Sequence, residues 1–140
     1  LGVMNARAAY YAKKDPRFAD FLTDGRSFGP HGEDLVIANS VFHYDDALSR
    51  ELTDLAAHAN LDMRRMGFKP FVAPALSSGA LSLLLCLRGA WHCSSAYLGG
   101  VFMGGRNRMT PMGVEFERLP LPEELLARLR ETEKKLHVIP

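Results

Sequence analysis

An arginine and a histidine stand 24 positions apart in this chain, Arg7 within Asn5-Ala6-Arg7-Ala8 and His31 within Phe28-Gly29-Pro30-His31-Gly32-Glu33-Asp34. A guanidinium grips a carboxylate through two parallel hydrogen bonds, and an imidazole exchanges a proton near neutral pH. Brought to one place, the two groups suit a 2-oxo or 2-hydroxy acid, held by its carboxylate while a proton is given or taken at the neighbouring carbon's oxygen. Either residue alone carries little. An arginine on a helix is most often a solvated or ion-paired surface group, and His-Gly is as often a turn as a site.

The elements that must position this pair are readable from periodicity. The segment from Val3 to Lys14, rich in Ala and Tyr, reads as a helix that stops before Asp15-Pro16, because proline disfavours helical geometry in the residue ahead of it. Short strands are expected at Arg26 to Phe28 and Leu35 to Phe42, flanking the Gly29-Pro30-His31-Gly32 turn, so that His31 sits on a loop at a strand end. From Asp46 the apolar residues Leu48, Leu52, Leu55, Ala59, Met63 and Met66 recur at steps of three and four up to Gly67, the pattern of a long amphipathic helix with its methionines as core filling. Pro74 then opens a second, almost wholly apolar helix ending near Gly89, expected to be buried on most sides. Trp91 to Leu98, Val101 to Met103 and Val114 to Leu119 read as three antiparallel strands, with Gly104-Gly105-Arg106-Asn107-Arg108 as a hairpin turn. That glycine pair lacks the lysine and Ser/Thr of a phosphate loop. A last helix starts at Pro122-Glu123-Glu124, turns Leu125, Leu129 and Leu136 inward and pairs Glu131 with Lys135. The sum is an α+β domain, an antiparallel sheet packed against long helices.

Composition narrows the function classes. The chain has 140 residues and 47% apolar content, enough to close one core, and 17 Lys+Arg against 16 Asp+Glu give no surface for nucleic acid or membrane. The apolar run Leu76 to Leu87 is interrupted by serines and glycine and is too short to span a bilayer. Cys86 and Cys93 lie in apolar stretches without metal-type spacing, as expected of buried thiols in a reducing, cytoplasmic setting. His92-Cys93 reads as strand packing rather than half of a metal site, and no metal is expected.

Taken in order, the helix carrying Arg7, the Gly-x-His-Gly loop at His31, the long helix, the Ala73-Pro74-Ala75 helix start, Ser95-Ala96-Tyr97-Leu98 and Met112-Gly113-Val114-Glu115-Phe116-Glu117 resemble the C-terminal, substrate-binding domain of the lactate/malate dehydrogenase family. The resemblance covers nearly the whole chain. It implies that Arg7 binds the substrate carboxylate and that His31 is the catalytic acid/base in the interconversion of a 2-oxo and a 2-hydroxy acid. It also implies NAD as cofactor, held mainly by an N-terminal dinucleotide-binding domain. Residues 1–140 contain no Gly-x-Gly-x-x-Gly turn after a strand, so they are expected to be a single domain cut from a longer chain whose Rossmann half is absent. Family members are commonly dimers or tetramers, which makes a homo-oligomer a further expectation.

The chain departs from the family pattern at three places. The family's aspartate three residues before the arginine, which orients the histidine, is Met4 here, and a thioether can neither accept from an imidazole N–H nor stabilise its charged form. Lys69 falls about where the family keeps a small residue, where it would narrow the pocket or bind a second carboxylate. The connection from Leu98 to Val101 is shorter than the family's. Two readings result: a dehydrogenase substrate domain, or a catalytically impaired member kept for carboxylate binding or assembly.

Overall fold

The computed structural model describes residues 1–67 and 72–137. Helix α1 (Gly2–Lys14) buries Met4, Ala8 and Ala12, a stripe at four-residue spacing whose small alanines admit a close neighbour. It ends at Asp15, which is extended ahead of Pro16, and the Asp15 carboxylate accepts from the Arg17 amide to start a 3-10 helix at Pro16–Leu22. Arg17 also reaches Glu51 at 2.8 Å, pinning this turn to the next helix. Strands β1 (Arg26–Phe28) and β2 (Val36–Ala38) pair antiparallel, with Ser27 opposite Ile37. Leu35 and Val36 to Phe42 thus form a shorter strand than the apolar run suggests, because Asn39 and Ser40 turn the chain by hydrogen-bonding it locally.

Helix α2 (Asp46–Arg65) is capped by Asp45, whose carboxylate accepts from the Leu48 amide at 2.8 Å. Behind the cap, the buried Asn39 and Ser49 side chains satisfy each other and the amides of Asn39 and Asp45. Leu52 and Ala56 of α2 meet Met4 and Ala8 of α1, with Phe18, Phe21, Leu35 and Ile37 completing the main core. A second cluster joins Val36, Ala38 and Val41 to Leu125 of the last helix, α4 (Glu123–His137). There Arg128 donates to Tyr44 Oη at 2.9 Å, and Glu131 pairs with Lys135 at 3.0 Å as the spacing predicts.

Helix α3 (Val72–Leu87) leads into a three-stranded antiparallel sheet, β3 (His92–Tyr97), β4 (Phe102–Thr110) and β5 (Gly113–Phe116), in the order β3-β4-β5. No helix among the described residues is long and apolar enough to cross a membrane.

Three sequence expectations are corrected. Gly104 to Arg108 is not a turn but the middle of β4, with Gly105 opposite Ser94 and Asn107 opposite His92. The turn lies earlier, at Gly99 and Gly100, both at positive φ. Glycine stands at 104 because another backbone comes against it: Gly29 and Gly104 exchange both N–H···O bonds, at 3.0 and 3.1 Å, and a Cβ on Gly104 would fall 2.8 Å from Ser94 O and 2.9 Å from Gly29 O. Met63 and Met66 do not fill a core, since the C-terminal turns of α2 project beyond α1 and leave Met66 64% exposed. Nor is α3 buried on most sides. It rests against α1, β3 and β4, and its outer face leaves Leu83 67% and Leu87 86% exposed. Periodicity reports which face is apolar, not whether this stretch of chain supplies its cover.

Gly104→Ala should destabilise the fold by about 1–3 kcal/mol, since backbone rather than a flexible side chain must give way. Urea denaturation checks this; an unchanged midpoint would mean that the two sheets separate freely at this junction.

Candidate functional site

Arg7 lies in the second turn of α1, half-buried beside α2, where its Nη1 donates to the Ala56 carbonyl oxygen at 3.2 Å and lies 4.0 Å from Met4 Sδ. That one carbonyl bond fixes the direction of the fork and leaves its remaining N–H groups to serve other acceptors. No carboxylate among the described residues pairs with it. A partly desolvated guanidinium without a counterion favours an incoming anion.

His31 sits on the loop between β1 and β2, exposed, with no side chain among the described residues hydrogen-bonded to its ring. The loop is held at its base. Gly29, at φ +88°, admits the close approach of the Asp34 carbonyl and carries the reciprocal bonds to Gly104, while the Leu35 amide donates to Gly32 O at 3.1 Å. Partial burial first, then the positive charge of Arg7 and then that of the N-terminal ammonium hold the His31 imidazole below its ordinary value. The Arg7 charge thus acts on the His31 ring, with no hydrogen bond between the two side chains among the described residues.

Met4 is fully buried in the main core rather than turned toward the loop. Its thioether adds apolar core volume and offers no carboxylate to the His31 ring. Lys69 lies outside the described residues.

Two supports of the site escape a reading by motif. One is the Ala56 carbonyl, since any residue could provide it. The other is the Arg26–Glu117 pair at 2.6 Å, in which Glu117 also accepts from Arg106 at 3.1 Å and so ties β1, the strand that enters the histidine loop, to the second sheet. The alternation in Val114-Glu115-Phe116-Glu117 marks Glu117 only as a strand-end carboxylate.

A cavity of about 670 Å³ borders the other side of the loop, lined by Gly32, Glu33, Asp34, His58 and Arg128 among others. Its cations are already matched, His58 to Asp54 at 2.9 Å and Arg128 to Tyr44 and Asp46. Arg7 thus differs from them in having no carboxylate partner among the described residues.

No family model matches the chain, and no curated protein does. Solved structures do. The malate dehydrogenase of Archaeoglobus fulgidus, in complex with NADH, aligns over 96% of this chain and 48% of its own with a TM-score of 0.68 at 15% identity. The malate dehydrogenase of Aeropyrum pernix aligns over 96% and 51% with a TM-score of 0.67 at 18% identity, and that of Salinibacter ruber over 98% and 51% with 0.64 at 20%. The chain thus spans about half the length of these proteins. Its helices and small antiparallel sheets have the fold of the C-terminal domain of the lactate/malate dehydrogenases.

Proposed function

We propose that the chain is the substrate domain of an NAD-dependent 2-hydroxyacid dehydrogenase of the malate/lactate type. The observation that carries this reading is the half-buried Arg7 guanidinium, without a carboxylate partner among the described residues, within electrostatic reach of His31 on this fold. Arg7 holds the acid's carboxylate and His31 moves the proton at its 2-oxygen. A carboxylate bound at Arg7 also removes part of what depresses the imidazole, so substrate binding itself raises the proton affinity of the acid.

The residues present do not fit a dinucleotide. The described strands form only antiparallel ladders, with no parallel strand–turn–helix unit to receive a pyrophosphate, and the sequence has no Gly-x-Gly-x-x-Gly turn. NAD then belongs to a separate N-terminal dinucleotide-binding domain, the partner of this one, and no step is assigned to it here. The exposed apolar outer faces of α2 and α3 suit such a partner or a homo-oligomer, in the cytoplasm. Lys69 belongs to the proposal as a second contact for the acid.

One observation favours a second reading, a catalytically impaired member that binds carboxylates. Met4 is buried, and no side chain among the described residues orients the His31 ring.

Arg7→Ala should weaken binding of a 2-oxo acid by roughly 10- to 100-fold, the loss of a charge-assisted hydrogen-bonding partner. Calorimetry with pyruvate and oxaloacetate reads this, and unchanged affinity would overturn the clamp. The same variant should raise the His31 titration midpoint seen by NMR, because a positive neighbour is removed.

The sign for stability follows from the depressed imidazole. The folded chain binds this proton less readily than the unfolded chain, so His31's contribution is intact above about pH 6.5 and is lost as pH falls through the folded value. Urea midpoints measured from pH 8 to pH 5 should show a smaller loss in Arg7→Ala than in the parent chain.

Met4→Asp separates the two readings. The restored carboxylate should raise the His31 midpoint and lower stability by about 1–3 kcal/mol, since a buried apolar side chain gives way to a carboxylate. If general acid catalysis is limited by the unoriented histidine, turnover of a 2-oxo acid with NADH in the protein carrying its cofactor domain should rise by up to about 10²-fold. An unaltered rate together with a raised midpoint would place the limiting loss elsewhere.

A further inference from the structure

His92 opens β3, and its imidazole is buried against the last turn of α3. Its two nitrogens face different partners: Nδ1 lies 3.0 Å from the Ala90 carbonyl oxygen, and Nε2 lies 3.1 Å from Cys86 Sγ. A carbonyl oxygen only accepts, so the neutral ring carries its proton on Nδ1. Nε2 is left with a lone pair aimed at the thiol, which donates to it.

We propose that Cys86 and His92 form a thiol–base pair that makes Cys86 a site of S-thiolation by low-molecular-weight disulfides of the glutathione type. The Cys86 proton passes to His92 Nε2, and the sulfur attacks one sulfur of the disulfide. A Cys86–sulfur bond forms as the disulfide's own S–S bond breaks. The departing thiolate takes the proton from Nε2 and leaves as a thiol. Cys86 and one half of the reagent end as a mixed disulfide, the other half is reduced, and His92 returns to its starting state. The Ala90 carbonyl supports the transient imidazolium by accepting from Nδ1–H throughout.

Access and selectivity also come from the fold. Cys86 itself is only partly buried. The chain's other thiol, Cys93, has no imidazole partner of this kind among the described residues, and burial pushes it up above the ordinary thiol value. It serves as an internal control. None of these residues belongs to the Arg7–His31 site, so the inference stands apart from the dehydrogenase reading.

The test is incubation of the folded protein with oxidised glutathione at pH 7, followed by peptide mapping of both cysteines over time. Cys86 should acquire glutathione roughly tenfold faster than the same cysteine in the urea-unfolded chain, while Cys93 lags behind it. His92→Asn keeps a donor near the Nδ1 position but places nothing at Nε2, and it should bring the Cys86 rate down to the unfolded value. If this variant does not fold, the comparison of folded and unfolded parent chain decides alone. The proposal is overturned if folded Cys86 reacts no faster than unfolded Cys86, if Cys93 takes the glutathione first, or if a folded His92→Asn variant reacts as the parent does.

Discussion

The reciprocal backbone bonds between Gly29 and Gly104 join the small β1–β2 ladder to the stretch of the central strand β4 that β5 leaves unpaired, and the position of the histidine loop depends on that junction. A Cβ on Gly104 would fall 2.9 Å from Gly29 O and one on Gly29 would fall 2.7 Å from Asp34 O, so neither residue can carry a side chain without moving a neighbouring carbonyl. The loop from Pro30 to Asp34 is thereby suspended between a fixed base and the strand β2, which is itself buried between the main core and the second cluster. The Arg26–Glu117–Arg106 group reinforces the same junction from the side-chain level.

Against that fixed loop, α1 supplies the arginine. Its alanine and methionine stripe lets α2 come close enough for the Ala56 carbonyl to receive Arg7, so the direction of the guanidinium is set by helix packing rather than by an acidic partner. A buried methionine in that neighbourhood preserves the free charge and at the same time leaves the imidazole unsupported. On the proposed reading, carboxylate binding depends on Arg7 and acid/base chemistry on an oriented, protonated His31, so the two requirements are separable.

The apolar outer faces of α2 and α3 have a different origin from the core. Leu81, Leu83, Leu84 and Leu87 form a continuous exposed surface on α3, larger than scattered surface leucines require. The aligned proteins are about twice as long as this chain, and the same α+β fold makes up about half of each of them.

The sequence alone determined the order and type of the elements, because hydrophobic period and proline and glycine punctuation are local properties of the backbone. Helices α1, α2 and α4, the Glu131–Lys135 pair and the placement of His31 on a loop all follow from residues within a few positions of each other. The 24-residue spacing of Arg7 and His31 suggested the chemistry, and the positive charge of Arg7 is one of the influences that depress the His31 imidazole. Tertiary structure alone decided the rest. Gly104 and Gly105 read as a turn until the partner strand and Gly29 are seen against them, since a glycine required by a neighbour's backbone looks the same in sequence as one required by its own φ. The helix faces of Met63, Met66 and the α3 leucines read as core because an apolar stripe has the same period whether it is covered by this part of the chain or left open. The Ala56 carbonyl that holds Arg7 and the His92 ring that faces Cys86 depend on where one element lies against another, which no local pattern encodes.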